Sequence, residues 1–369
     1  MPLSRVQPAD YPALLAHKVQ VVKAALAQFS APEPTVYPSQ PTGFRLRAEF
    51  RMWHEDDSVN YVMFRREDPK VPVVVTDFPI ADQRIQDVMP VLRARLNASS
   101  TLRRKLFQVE FLGSLSGELL ITLVYHRPLD QDWENAAQLL LDALQTCTPN
   151  TSIIGRSRRQ KQVLGRDFVE EVLPIHGRNY HYRQYEQSFS QPNARVNIHM
   201  IEWACEQASS RRGDLLELYC GNGNFTLPLA QHFDHVIATE LSKTAIRAAQ
   251  ANLAENAIDN VHLIRFSAQE VTQAMQAQRT FRRLSDLPRP LHEYALDTLL
   301  VDPPRAGLDA HTLAMAAHFP VIIYISCNPE TLVQNLLSLH GSHTIAQFAL
   351  FDQFPYTDHM ECAVVLEQR

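Results

Sequence analysis

"LLELYCGNGNFTLPLA", Leu215–Ala230, carries the clearest architectural signal in the chain. It opens on an apolar-rich run, meets Gly221 and Gly223 at once, and continues as "NFTLPLAQHF", which reads as a helix. Strand, glycine turn and helix in that order form the opening unit of a doubly wound parallel sheet, whose ligands gather at the carboxyl ends of the strands. The chain has only 11 glycines in 369 residues, so two within three positions mark a tight turn or a close backbone approach to a ligand. Asn224 and Thr226 occupy the later positions, so this is not the GxGxxG pattern of dinucleotide sites. Nineteen residues beyond Gly221, the strand-like "HVIATEL" reaches Glu240. A carboxylate there can accept hydrogen bonds from both hydroxyls of a ribose, so turn and acid together point to an adenosine-type ligand.

Outward from this unit the rhythm persists. "ARVNIHMIEWACEQAS" and "KTAIRAAQANLAEN" read as helices, and "VHLIRF", "LDTLLVD" and "VIIYISC" as buried strands. "HTIAQFALFDQF" and "CAVVLEQR" suggest an edge hairpin. The first half differs. Residues 10–29 have helical spacing behind Asp10, and short strands run from about 43 to 126, with further helices at 82–96 and after Asp130. The expectation is an N-terminal α+β, mostly antiparallel domain over 1–185 and a Rossmann-like doubly wound domain over 186–369.

Composition is that of an ordinary globular protein, 45% hydrophobic and 20% charged. The polar, proline-broken start lacks a signal-peptide core, and no apolar run approaches the roughly 20 residues of a membrane span. Five scattered cysteines without a CxxC argue for a reducing cytosol, and against disulfides, a metal site or an iron–sulfur cluster. The net charge of −5 is uneven. Residues 1–190 carry 23 Lys and Arg against 21 Asp and Glu, and residues 191–369 carry 12 against 19. Any nucleic-acid platform therefore falls in the first half.

Chemistry concentrates at three later points. In "VIIYISCNPETL" a strand ends on Cys327, Asn328 can cap the next helix, and Pro329 suits its first turn. The positive end of that helix is expected to lower the thiol's pKa, so Cys327 reads as a nucleophile. "LLVDPPRAGLD" sets Asp302 at another strand end, before a loop stiffened by two prolines. "FDQFPYTDHMECAVVL" supplies Asp358, His359 and Glu361, any of which could be a general base. In the first half, Arg51 in "RLRAEFRMWH" and Arg103, Arg104, Lys105 and Phe107 in "RRKLFQVEF" combine cations with aromatic rings, as does the charge run "GRSRRQK". Such groups hold single-stranded RNA loops through phosphate contacts and stacking.

Together "SFSQPNA", "LYCGNGNFTLPLA", "VDPPRAGLD", "YISCNPETL" and "FDQFPYTDHMECAVVL", with "RAEFRMWH" and "KLFQVEF", resemble the tRNA (uracil-5-)-methyltransferase family over nearly the whole chain. Members are S-adenosyl-L-methionine-dependent enzymes that form 5-methyluridine in the T-loop of tRNA. The resemblance implies cofactor contacts at Gln191, Tyr219, Asn224, Glu240 and Asp302, beside the Gly221 turn, a nucleophile at Cys327 and a base at Glu361. It implies addition of Cys327 to uracil C6, methylation at C5 and loss of the C5 proton to Glu361. tRNA, through its T-arm, is the expected partner, transfer-messenger RNA a candidate second one, and the cytoplasm the expected location. Competing readings are a ribosomal-RNA uridine-5 methyltransferase and a non-catalytic RNA-binding or folding protein. Cytosine-5 methylation ranks lower, because its usual second cysteine is missing from "DPPR".

Overall fold

The computed structural model describes residues 6–65, 68, 70–276, 279 and 281–369. They group into two compact units, one chiefly Gln40–Val172 with Arg183–Ala194, the other Asp10–Ser39, Leu173–Tyr182 and Arg195–Arg369. The sequence expectation of one boundary near 185 is therefore replaced by several crossings. The helix Tyr11–Leu26 joins the C-terminal unit, not the N-terminal one. The reason is a long-range pairing: the short strand Thr35–Tyr37 runs parallel to Ala349–Phe351 and draws the preceding helix with it. Phe168–Ile175 and Arg178–Tyr185 form a two-stranded ribbon through which the chain passes from one unit to the other and back.

The first unit is built on a seven-stranded sheet in the order Pro72–Val74, Ser58–Phe64, Arg47–Glu55, Leu106–Gly113, Leu119–Tyr125, Thr151–Ser157 and Gln160–Leu164. All neighbours are antiparallel except Leu119–Tyr125 with Thr151–Ser157, which are joined across the helix Gln131–Gln145. That helix starts where the Asp130 side chain accepts from the Trp133 N–H, and Asp132 and Glu134 suit its positive end. Its buried stripe is Trp133, Ala137, Leu140, Leu141 and Leu144. Trp133 lies so close to the sheet that a Cβ on Gly155 would stand 2.2 Å from its ring. The core beneath Arg47–Glu55 is aromatic, with Phe50 packed on Tyr61, Phe78 and Phe111.

The second unit holds an eight-stranded sheet in the order Thr35–Tyr37, His343–Phe351, Glu361–Gln368, Val321–Ser326, Leu296–Val301, Asp214–Leu218, Val236–Thr239 and Val261–Ile264. All are parallel except Glu361–Gln368, which pairs antiparallel on both sides. Asp214–Leu218 and Val321–Ser326 are buried at every position, which explains the apolar run of the second and leaves Asp214 and Glu217 of the first as buried acids. The expected C-terminal hairpin forms, but Thr35–Tyr37 takes the sheet edge beyond it. Chain order reverses between Asp214–Leu218 and Leu296–Val301. That switch point is where open α/β sheets form their ligand crevice. The helix after the glycine turn is shorter than expected, Thr226–Leu229 followed by a 3₁₀ turn, and the capped helix Ala268–Met275 was not anticipated. Among the described residues no helix is long and apolar enough to cross a membrane.

Candidate active site

Four parallel strands end on one rim, delivering Tyr219, Glu240, Asp302 and Cys327 there. At the first, the backbone turns sharply: Tyr219, Gly221 and Gly223 have φ of 63°, 58° and 90°. A Cβ built on Gly221 meets nothing within 4 Å, so the side-chain face of its Cα borders open space, whereas one on Gly223 would collide with Leu227 Cδ1 at 2.3 Å. Gly223 thus serves packing of the turn, and Gly221 leaves room for a ligand. The turn is tied to the next strand end by Glu240. Its carboxylate accepts from the N–H of Gly221 at 3.2 Å and from those of Leu241 and Ser242 at 2.7 Å each. Asn224 and the buried Asn197 exchange amide hydrogen bonds at 2.8 and 3.0 Å, and the Tyr182 hydroxyl donates to the Asn224 carbonyl at 3.0 Å. Asn197 had no signal in the sequence beyond its place in a helix.

The loop after Leu296–Val301 is clamped from below by Asn335. Its side chain accepts from the Leu308 N–H at 2.8 Å and the Tyr324 hydroxyl at 2.6 Å, and donates to the Leu308 carbonyl at 3.2 Å. From the following helix, Asn328 Nδ2 and the Thr331 hydroxyl both donate to the Arg305 carbonyl at 3.2 Å. Asp302 and Cys327 therefore stand on mutually braced strand ends.

Glu361 arrives by register. Ser326 pairs with Cys362, so the next residues outward, Cys327 and Glu361, share the rim although their strands run oppositely. Glu361 is only 3% exposed. Burial, then Asp302, drives its carboxyl well above the usual carboxylate range. Burial pushes Asp302 up to about 7. Cys327, partly exposed, is pushed up to about 11 by burial and then by Glu361 and Asp302, against Arg305 and its own N–H. This corrects the expected low thiol pKa. Asn328 caps the helix and Pro329 opens it as anticipated. A helix terminus contributes only roughly 0.3–1 kcal/mol at such positions, and burial beside two acids outweighs it. Burial thus favours the neutral forms of Cys327, Glu361 and Asp302.

Glu217, in the strand before the turn, was also missed by sequence reading. It is 1% exposed, and burial pushes it up to about 8. Of the other residues at issue, Asp358 and His359 precede Glu361 in the turn, and His359 Nδ1 lies 3.4 Å from Arg305.

In the first unit, the Arg51 guanidinium lies 3.7 Å above the Phe107 ring, and His126 stacks on Phe107 at 4.0 Å. Phe107 is thus covered by both, and the exposed outer members are Arg51 and His126. Sequence reading missed His126, which follows the strand beside Phe107. Arg103 is tied to Asp57 at 2.9 Å and to the Asn97 carbonyl at 2.6 Å, while Arg104 and Lys105 are exposed. Gln191 belongs to this unit, and its side-chain carbonyl is buried without a hydrogen-bond partner.

The sequence profile of the tRNA (Uracil-5-)-methyltransferase family matches residues 10–369. A tRNA/tmRNA (uracil-C(5))-methyltransferase of Aromatoleum aromaticum is 53% identical over 369 residues, 100% of this chain and 98% of that protein. The protein of the same name from Pectobacterium atrosepticum is 49% identical over 360 residues, 98% and 97% of the two chains. Among solved structures, the tRNA (uracil-54, C5)-methyltransferase of Pyrococcus abyssi in complex with S-adenosyl-L-homocysteine superposes with a TM-score of 0.73. It is 21% identical and covers 96% of this chain and 83% of its own, so it speaks to the fold. The chain belongs to the tRNA (uracil-5-)-methyltransferase family.

Proposed function

We propose that this protein methylates C5 of a uridine in the T-loop of tRNA, with Cys327 as nucleophile and Glu361 as base, in the cytoplasm. The observation that carries the reading is the placement of Cys327 and Glu361 on one rim, next to Asp302 and the switch point of the sheet. The residues present suit S-adenosyl-L-methionine. Gly221 borders open space, Glu240 is fixed by three backbone N–H groups to receive a ribose, and Tyr219, Asn224 and Asp302 flank the same turn and loop. When bound, this cofactor supplies an electrophilic methyl group.

Uracil C5 is a weak nucleophile, and the protein's part is to activate it. Cys327 loses its proton to solvent and its thiolate adds to C6, the C5=C6 π pair moving onto C5. After C5 is methylated, Glu361 takes its proton, the C5–H electron pair becomes the C5=C6 double bond, and the C6–S bond breaks. For that, Glu361 must be ionised when it acts. Its position beside Asp302 makes that ionisation responsive to charge in the filled site. The uridine has to leave its stack to reach the rim, which a structured loop permits more cheaply than a duplex. Arg51 and His126, both packed on Phe107, offer a stacking surface, with Arg104 and Lys105 nearby in sequence as phosphate partners. Transfer-messenger RNA, named for the relatives, is proposed as a second substrate. Incubating the protein with methyl-labelled S-adenosyl-L-methionine and unmodified tRNA should place the label in 5-methyluridine of the T-loop. Label in another nucleoside would refute the assignment.

A further inference from the structure

The helix Tyr11–Leu26 buries the stripe Tyr11, Lys18, Val22 and Leu26. An aliphatic residue would seat such a helix as well as a lysine does. Lys18 instead places three donors and a charge at one point. It is 8% exposed and donates to Asp352 Oδ1 at 2.5 Å and to the Phe354 carbonyl at 3.2 Å. Asp352, 1% exposed, also accepts from the Tyr11 hydroxyl at 2.9 Å, and that hydroxyl accepts from the Ser39 N–H at 2.8 Å. The Tyr11 ring packs against Tyr356 with centroids 5.8 Å apart, where the chain takes a φ of 63°. Apart from the Ser39 bond, which holds the Tyr11 hydroxyl, these contacts fall on the turn 352–360, which links Phe351 to Glu361, two residues that pair across the hairpin. The Lys18 charge also acts on Asp358 and on Cys362, next to Glu361.

We propose that Lys18 and Asp352, braced by Tyr11, are positioning residues that hold the turn 352–360 and thereby set the Glu361 carboxyl at the Cys327 rim. This rests on the reading of Cys327 as nucleophile and Glu361 as base. Addition of the thiolate to C6 does not use Glu361; removal of the C5 proton and release of the C6–S bond do. Displacing Glu361 therefore stalls the reaction after the covalent bond has formed.

The test compares wild type, Glu361→Gln, Lys18→Met and the double variant Lys18→Met/Asp352→Asn, the last leaving no buried charge unpaired. Each is given S-adenosyl-L-methionine and a T-arm RNA. The rate of denaturation-stable protein–RNA adduct formation and the rate of methylated product release are measured separately. Both Lys18 variants should accumulate adduct, with release slowed by roughly tenfold or more and adduct formation within about twofold of wild type. Lys18→Arg should recover release. Wild-type release without adduct in the double variant, or formation and release falling in equal proportion, would overturn the positioning role, since a merely structural loss lowers both. Absence of adduct in Glu361→Gln would overturn the base assignment itself, and this inference with it.

Discussion

Cys327 shows what a residue's surroundings in sequence reveal and what they hide. Its place at a strand end before Asn328 and Pro329 was legible, because capping and proline preferences are local. Its protonation was not, because Glu361 and Asp302 reach it only through a sheet register spanning separate segments. Glu361 could not be told from Asp358 and His359 by pattern alone; the register brings Glu361 opposite Cys327. With the thiol pushed up to about 11, alkylation of Cys327 by iodoacetamide should keep accelerating with pH through 10, as followed on its own peptide by mass spectrometry. Folded protein alkylated at a rate that levels off near pH 7 would show a resting thiolate instead.

At the scale of elements, periodicity located the helices and strands but not their partners. The spacing of Tyr11–Leu26 gives a helix on either sheet, and the pairing of Thr35–Tyr37 with Ala349–Phe351 selects one. Glu217 was hidden for a related reason: within "DLLEL" it reads as a strand's polar face, yet the strand is buried on both sides. Its folded pKa, about 8, lies above the ordinary carboxyl value of 4.5. An acid raised in this sense costs nothing below its unfolded pKa, and stability falls as pH rises from there to the folded value. Glu217→Gln removes that loss. Its melting temperature relative to wild type should rise between pH 5 and pH 8 by several degrees, reflecting on the order of 3 kcal/mol. A difference that stays constant with pH would show that Glu217 does not hold its proton in the fold.

For the whole molecule, the charge division was legible from composition alone, with the acidic excess confined to residues 191–369. What composition could not separate was which cations are free to meet RNA. Arg103 is spent on Asp57 and Asn97, whereas Arg104 and Lys105 are exposed. Reversing the latter pair with Arg104→Glu and Lys105→Glu should weaken tRNA binding and lower the slope of log affinity against log salt by roughly 2. Arg103→Glu should instead act first on thermal stability. Equal affinity and slope in the double reversal would leave those charges as a solvated face.

The account turns on one bond, between Cys327 and the target uracil. Glu361→Gln protein incubated with S-adenosyl-L-methionine and T-arm RNA, then denatured, digested and sequenced by mass spectrometry, should carry a methylated uridine adduct on the Cys327 peptide. An adduct on any other cysteine, or full turnover with no adduct at all, would contradict it.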